Sequence, residues 1–174
     1  MERDAAPGKI IFTMLQKVQP KKVAGRGGHF AIVASKYNPR YVDAMLRAAK
    51  AEILRAGGTV QIVRVPGAYE IPVVAARLAR SSRITHHASL SAIICLGVIL
   101  RGATTHAQHI GEAVSGALMQ IQIEQEVPVI HEVLLLESEQ QARERCLDKK
   151  HNRGTEAAQT ALAMARVMRG LPGL

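Results

Sequence analysis

A titratable side chain beside a glycine-containing turn is the feature of this sequence best suited to chemistry. The apolar run at 92–100 predicts a strand covered on both faces. A polar turn, Arg101–His106, follows it, and apolar residues then recur at three- and four-residue steps from Ile110 to Ile121, which predicts a helix. Free backbone N–H groups and the dipole at such a helix start favour an anion. Because His106 can exchange a proton near neutral pH, this stretch predicts a phosphate site with an imidazole beside it.

Strand and helix patterns alternate on both sides of this unit, which predicts parallel strands joined by right-handed crossovers. We therefore expect an α/β fold, a three-layer sandwich with a four-stranded parallel sheet in the flavodoxin-like order 2-1-3-4 and helices on both faces. The other predicted strands are His29–Ser35, Thr59–Val65 and Pro128–Leu136. The other predicted helices run from Pro39 to Gly57–Gly58, from Ile71 to about Arg80, over Glu139–Leu147 behind a Ser138–Gln141 capping box, and around Ala158–Met168. The polar stretch Ser81–Ser91, with His86 and His87, is predicted to be a solvated loop.

The first 28 residues stand apart from this alternating pattern. They contain Pro7, Pro20 and the joint Gly25–Gly28, and we expect a partly flexible arm ahead of one domain at 29–174. A length of 174 residues suits one well-cored domain and is short for two. The sequence leaves open whether Lys9–Val18 adds an N-terminal edge strand to the sheet.

The strongly basic balance of the chain raises the question of nucleic acid. There are 23 Lys and Arg residues against 14 Asp and Glu residues, a formal net charge of +9. However, aromatic residues make up only 3% of the chain and are not interleaved with the basic ones, as single-strand binding would require. We therefore favour an anionic small substrate and expect no nucleic acid partner.

The two cysteines, Cys95 and Cys146, form neither a metal-ligand spacing nor a disulfide framework. Cys95 lies inside an apolar run and is expected in the core. No apolar run approaches the ~20 residues that span a bilayer, and Ile10–Leu15 is too short for a signal-peptide core. We expect a cytoplasmic protein with no membrane association.

Further candidate site residues follow the predicted strands, where ligands bind to open parallel sheets. Each has an ordinary structural explanation when taken alone. Tyr37 is equally explained by packing in its turn, and Glu70 by serving a helix dipole. Arg145 and Lys149, four residues apart at a helix end, form either a phosphate clamp or a solvated basic face. His131 is either a ligand contact or a hydrogen-bonded core imidazole. Their joint occurrence on one rim of the sheet predicts a site.

Five motifs follow one another along the chain: Ser35–Asn38, Val65–Pro72, the longer Gly97–His106, and the shorter Pro128–Ile130 and Asn152–Gly154. Together they resemble the motifs of the 6,7-dimethyl-8-ribityllumazine synthase family of riboflavin biosynthesis. The resemblance extends from about His29 to Met168. It implies a transferase that condenses 5-amino-6-(D-ribitylamino)uracil with 3,4-dihydroxy-2-butanone 4-phosphate and needs neither a metal nor a cofactor.

The resemblance also implies a role for each matching residue. His106 would transfer protons, and Arg145 would join it in catalysis by pairing with the phosphate. The helix start would bind the phosphate through Gly102, Ala103 and Thr104. Arg153 and Glu156 fall at further polar site positions of the family. The uracil substrate would contact Tyr37 by stacking, together with Asn38, Ala68, Tyr69, Glu70, Val98, Ile99, Leu100, His131 and Lys149.

Two departures from the family pattern affect what the resemblance implies. His131 replaces the usual aromatic residue, which reduces the apolar contact available to the heterocycle. The loop Cys146–His151 lacks the glycine-rich connection of capsid-forming members, so a homopentamer with sites between subunits is expected, with riboflavin synthase as a candidate partner.

A non-catalytic lumazine- or flavin-binding relative is the alternative, since it would keep Tyr37 and Glu70 without needing His106 or Arg145. A basic nucleic-acid-binding module would need none of Thr104, Thr105 and Glu70, and it predicts salt-sensitive DNA retention.

Overall fold

Four strands and five helices alternate along residues 27–84 and 89–172, which are the residues that the computed structural model describes. The predictions for the N-terminal arm, for an edge strand at Lys9–Val18, and for His86 and His87 lie outside the described residues. The elements are β1 His29–Ser35, α1 Pro39–Arg55, β2 Thr59–Val65, α2 Ile71–Ile84, β3 Leu90–Leu100, α3 His106–Gln125, β4 Val129–Leu136, α4 Glu139–Cys146 and α5 Arg153–Gly170.

The four strands form one parallel sheet in the order β2-β1-β3-β4. In register, Ile32 of β1 lies between Ile62 of β2 and Ile94 of β3, and Ile94 in turn pairs with Ile130 of β4. The predicted α/β architecture and strand order are confirmed. Because all strands run the same way, the loops that follow them meet at one edge of the sheet, which we call the carboxyl rim.

Helices cover both faces of the sheet, as predicted for a three-layer sandwich. One apolar cluster joins the sheet to α1, α4 and α5, and a second joins it to α2 and α3. Successive residues of the central strands alternate between the two clusters, so β1 and β3 are buried on both faces. Cys95 belongs to the second cluster and is fully buried, which confirms it as a core residue; burial raises the pKa of its thiol.

The predicted loop at Ser81–Ser91 is wrong at both ends. Helix α2 continues to Ile84, and β3 begins at Leu90. Ser82 is buried, and its hydroxyl accepts a hydrogen bond of 2.6 Å from the backbone N–H of Leu90. Ser82, whose polarity suggested a loop, therefore accepts the hydrogen bond of the first backbone N–H of β3. The polarity of neighbouring residues in the sequence does not reveal this contact.

The ends of the last two helices are fixed by side-chain caps. Ser138 accepts a hydrogen bond from Gln141 N at 3.3 Å, while the Gln141 side chain accepts from the backbone N–H of Glu137 at 2.9 Å, one residue earlier than the predicted capping box requires. Asn152 caps α5 by accepting from Gly154 N at 2.9 Å. A side chain at Gly154 would overlap the backbone of Met45, so α5 approaches α1 as closely as backbone allows.

Candidate active site

A cavity of about 730 Å³ opens at the carboxyl rim. Its walls come from the loops that follow β1 and β2, from the last three residues of β3 and from the first two turns of α3. It brings together most of the residues predicted to bind the uracil substrate, and His106 with them. The lining residues are Tyr37, Asn38, Gly67, Ala68, Tyr69, Glu70, Val98, Ile99, Leu100, His106, His109, Ile110 and Ala113.

Asn38 joins the loop after β1 to the end of β3. Its side chain donates a hydrogen bond of 2.8 Å to the carbonyl of Val98, and its backbone adopts a left-handed conformation at φ 52°. Asparagine tolerates that conformation better than most residues, so it suits this turn. The neighbouring Tyr37 side chain is 69% exposed and is not packed as a turn tyrosine would be. The loop therefore holds an open aromatic face beside the carbonyl groups at the end of β3.

The loop after β2 positions a carboxylate by a backbone contact. Glu70 Oε2 accepts a hydrogen bond of 2.8 Å from Gly67 N, which turns the side chain back over its own loop. A Cβ atom at Gly67 would lie 2.8 Å from that oxygen and 3.1 Å from the Tyr37 ring, so glycine is required for this close approach. Among the described residues, Glu70 Oε1 has no hydrogen-bond partner, which leaves it available to a ligand hydroxyl.

The start of α3 is weakly capped. Thr105 occupies the N-cap position without a side-chain hydrogen bond to the helix, and Thr104 Oγ1 accepts from His106 N only at 3.4 Å. The space beside Gly102 is open, and Ala103 is exposed. Backbone N–H groups of a first helical turn that keeps no strong cap attract anions. His106, exposed at the first position of α3, faces the cavity beside this helix start.

Three cavity residues of α3 were missed by the sequence analysis. His109, Ile110 and Ala113 follow His106 at steps of three, four and seven, which places them on the same face of the helix. Helical spacing from His106 was the signal that could have found them.

His131 lies away from this cavity, on β4. Its Nε2 is 2.8 Å from Ser115 Oγ on α3, and its Nδ1 accepts a hydrogen bond of 3.1 Å from Val133 N. Ser115 in turn donates to the carbonyl of Gly111 at 2.7 Å. These contacts suit a neutral ring protonated at Nε2. Partial burial lowers the pKa of His131, against an opposing backbone hydrogen bond. The ring is hydrogen-bonded and only partly covered by the protein, so it is not a core imidazole.

Arg145 and Lys149 do not share a helical face, and that prediction is wrong. Helix α4 ends at Cys146, so Lys149 lies in the following loop. The Asp148 carboxylate holds this loop in a non-helical turn by accepting hydrogen bonds from the backbone N–H groups of Lys150 at 2.6 Å and His151 at 2.9 Å. These hydrogen bonds lower the pKa of Asp148. Neither Arg145 nor Lys149 lines the cavity described above.

Beside Arg145, at the start of α5, lies a chain of charged side chains. Arg153 donates to Glu132 through Nε at 2.7 Å and to Glu156 through Nη1 at 2.6 Å. Burial raises the pKa of Glu132, an effect that the charges of Arg153 and Arg145 oppose. Burial also works to lower the pKa of Arg153, but Glu132 and Glu156 outweigh it and raise that pKa. The predicted residues therefore form two groups, one around the cavity and one along β4, α4 and α5.

Comparison with known proteins decides the family. The family model for 6,7-dimethyl-8-ribityllumazine synthase matches residues 27–169. The chain belongs to this family. It is 39% identical to the Aquifex aeolicus 6,7-dimethyl-8-ribityllumazine synthase over 153 residues, covering 86% of this chain and 96% of that protein. Proteins of the same name from Desulfotalea psychrophila and Stenotrophomonas maltophilia are 38% and 37% identical and cover 83% and 82% of this chain, and 92% and 90% of their own lengths.

Membership of the lumazine synthase family confirms the resemblance seen in the motifs. The chain is therefore an enzyme of the transferase class in riboflavin biosynthesis, and family membership implies small-molecule substrates and a homo-oligomeric assembly. Within the described ranges, no three His, Cys, Asp or Glu side chains are grouped as a metal ion would need. None of the helices in those ranges combines the length and apolarity of a membrane span.

Proposed function

We propose that the chain condenses 5-amino-6-(D-ribitylamino)uracil with 3,4-dihydroxy-2-butanone 4-phosphate at a site shared between neighbouring subunits. One observation carries the proposal. His106 and most of the predicted uracil contacts line one cavity, while His131, Arg145 and Lys149 lie outside it on the same chain. A single chain therefore supplies two incomplete halves, and the cavity of one subunit is completed by the β4–α4–α5 side of the next.

In this proposal the uracil substrate occupies the cavity. The exposed ring of Tyr37 stacks on the heterocycle. The free oxygen of Glu70 accepts hydrogen bonds from ribityl hydroxyls beside Ala68 and Tyr69. Backbone groups of Val98–Leu100 contact the ring edge; because Asn38 already uses the carbonyl of Val98, the groups of Ile99 and Leu100 carry more of this contact.

The phosphate-bearing substrate binds at the start of α3. Residues Gly102–Thr104 and the backbone N–H groups of the helix start meet the phosphate, and the guanidinium of Arg145 from the neighbouring subunit pairs with it. Among the described residues, nothing accepts a hydrogen bond from the Arg145 guanidinium, which supports its availability for this role.

The chemistry requires positioning and proton transfer from the chain. The uracil's amine attacks the ketone and gives a Schiff base with loss of water. Phosphate then leaves by elimination, and the ring closes with loss of a second water. His106 takes and returns the protons, while alignment of the two substrates supplies most of the acceleration.

We propose that the assembly is a homopentamer in the cytoplasm, with riboflavin synthase as a candidate partner. One observation supports contact between subunits. Large apolar side chains are exposed on the loop after β2, on α2 and on α3, namely Tyr69, Val73, Met119 and Ile123. The loop after α4 lacks the glycine-rich connection of capsid-forming members, which favours a pentamer over a capsid. Native mass measurement tests the number of subunits; a monomer would refute the shared site.

The reaction is tested by mixing the two substrates and following lumazine fluorescence. We expect His106→Ala to lower kcat and Arg145→Ala to raise KM for the phosphate-bearing substrate, each by 10-fold or more, on the order of one charge-assisted contact. Arg143→Ala is the matched control, since Arg143 is an exposed residue of the same helix paired with Glu139 at 3.3 Å. Wild-type kinetics in both variants would refute the site assignment.

Subunit mixing tests whether the site is shared. Co-assembly of the His106→Ala and Arg145→Ala chains should restore activity, because about a quarter of the sites in a randomly mixed ring then combine two intact halves. If the mixture is no more active than either variant alone, the two residues serve the same subunit's site.

A further inference from the structure

A buried carboxylate on β4 is not accounted for by the reaction described above. Glu132 is 4% exposed and lies in register with Leu96 on the face covered by α1, α4 and α5. Its neighbours on that face of the strand, Ile130 and Leu134, both pack in the apolar cluster. Alternation along β4 therefore assigns this position to the core, where an ionised carboxylate costs several kcal/mol unless it is paired.

Glu132 forms an ion pair with the side chain of Arg153. Arg153 donates from Nε to Glu132 and from Nη1 to Glu156, so two carboxylates hold its guanidinium at separate nitrogens. In the described part of the chain, Nη2 has no hydrogen-bond acceptor. Because the guanidinium is planar and rigid, fixing two of its nitrogens also fixes the third.

The backbone that carries Arg153 is also held in place. Arg153 is the first residue of α5, and it lies between the capping side chain of Asn152 and Gly154. The Asn152 side chain accepts from Gly154 N and donates to the carbonyl of Cys146, while Gly154 packs directly on the backbone of Met45. The backbone and the guanidinium group of Arg153 are therefore held by separate contacts, as a preorganised binding group requires.

Electrostatics link this pair to Arg145. The charges of Arg153, which is hydrogen-bonded to Glu132, and of Arg145 both act to lower the pKa of Glu132 and oppose the effect of its burial. Two neighbouring guanidinium groups suit a phosphate better than a neutral ring.

We propose that Glu132 is a positioning residue that holds Arg153 so that its free nitrogen, Nη2, meets the phosphate-bearing substrate together with Arg145. This inference rests on the proposed shared site, and it adds a residue that has no direct contact with substrate. Removing the carboxylate lets the Arg153 side chain sample other rotamers, which weakens binding of the phosphate and leaves the uracil contacts unchanged.

The test is the KM for each substrate in the assembled enzyme. We expect Glu132→Ala to raise KM for the phosphate-bearing substrate about 10-fold, the order of one charge-assisted hydrogen bond, without changing KM for the uracil. Glu132→Gln, which keeps the shape and an acceptor oxygen, should recover most of the loss. If Glu132→Ala does not fold, Glu132→Asp replaces it, since the shorter side chain keeps the charge but draws Arg153 away; the same rise is expected.

Two further variants separate positioning from stability and from charge. Glu52→Gln is the matched control, because Glu52 is another buried carboxylate paired with an arginine, Arg55, near the far end of α1. It should change stability but neither KM. In an Arg153→Met background, Glu132→Gln should leave KM for the phosphate-bearing substrate unaltered, since there is no guanidinium left to position.

Three results would overturn the inference. One is an unchanged KM in every Glu132 variant, and another is an equal rise for both substrates. The third is a fall in KM for the phosphate-bearing substrate, which would make Glu132 an electrostatic counterweight to the guanidinium groups. A wild-type enzyme that forms no lumazine refutes the proposed function instead, so the two failures are distinguishable.

Discussion

Replacing Gly67 with alanine would separate the geometry of the cavity from the stability of the fold. The new methyl group would lie 2.8 Å from Glu70 Oε2 and 3.1 Å from the Tyr37 ring. The backbone of Gly67 does not have a positive φ, so alanine introduces no backbone strain. Both close atoms belong to exposed side chains, so rotation of those side chains relieves the contact.

The energetic cost follows from what that rotation breaks. Glu70 loses its 2.8 Å hydrogen bond from Gly67 N. A hydrogen bond to a charged group is worth ~1.5–3 kcal/mol, and solvent screening at this exposed loop reduces its share of folding stability to about 1 kcal/mol or less. The same rotation moves the carboxylate away from the place where it would meet ribityl hydroxyls. We therefore expect a rise of roughly 10-fold in KM for the uracil substrate, the order of one lost contact.

The assay combines steady-state kinetics, with each substrate varied in turn, and chemical unfolding at one protein concentration. The matched control is Gly170→Ala, at the end of α5, where an added Cβ meets nothing within 4 Å. It should leave both KM values unchanged. A Gly67→Ala enzyme with unaltered KM for the uracil would show that the orientation of Glu70 is not used in binding. A loss of more than about 3 kcal/mol in stability would show that the methyl group is not accommodated by side-chain rotation.

Three further predictions concern stability. Gly154→Ala should cost about 3 kcal/mol or more in urea unfolding, because its methyl group meets the Met45 backbone, whereas Gly116→Ala, with open space around it on α3, should stabilise by ~0.5–1 kcal/mol. Ser138→Ala should cost ~1 kcal/mol through loss of the α4 cap, measured in the same way. Because partial burial lowers the pKa of His131, the unfolded chain binds the proton more tightly, so stability should fall as pH drops below about 6.5; thermal melts of His131→Phe should lack that part of the pH dependence.

Local chemistry determined the order and type of the elements. The apolar run before Arg101 fills both faces of a central strand, and the turn Lys36–Pro39 begins a helix because proline is favoured at its first position. Alternation of strands and helices predicted parallel strands joined by right-handed crossovers, which leaves few possible topologies. The motifs from Ser35–Asn38 to Asn152–Gly154, taken together in their order along the chain, indicated the family.

Contacts between distant residues were not predictable in the same way. The sequence around Ser82 resembles a loop because it is polar. The partner of the Ser82 hydroxyl, Leu90 N, becomes known only once α2 is packed against the sheet. Lys149 was placed on a helical face because periodicity does not record that the Asp148 carboxylate captures two backbone N–H groups. Each error arose where a polar side chain found a backbone partner that short-range pattern does not specify.

By itself the sequence determined the layers of the fold, the turns at the carboxyl rim and the chemical types of the candidate site residues, since hydrophobic period and turn chemistry are local properties. Only the tertiary structure divided those residues between the cavity and the β4–α4–α5 side, and only it showed Glu132 holding Arg153. The physical reason is that a side chain's partners across a sheet depend on how separate layers pack, and residues 21 positions apart in the chain carry no sign of that meeting.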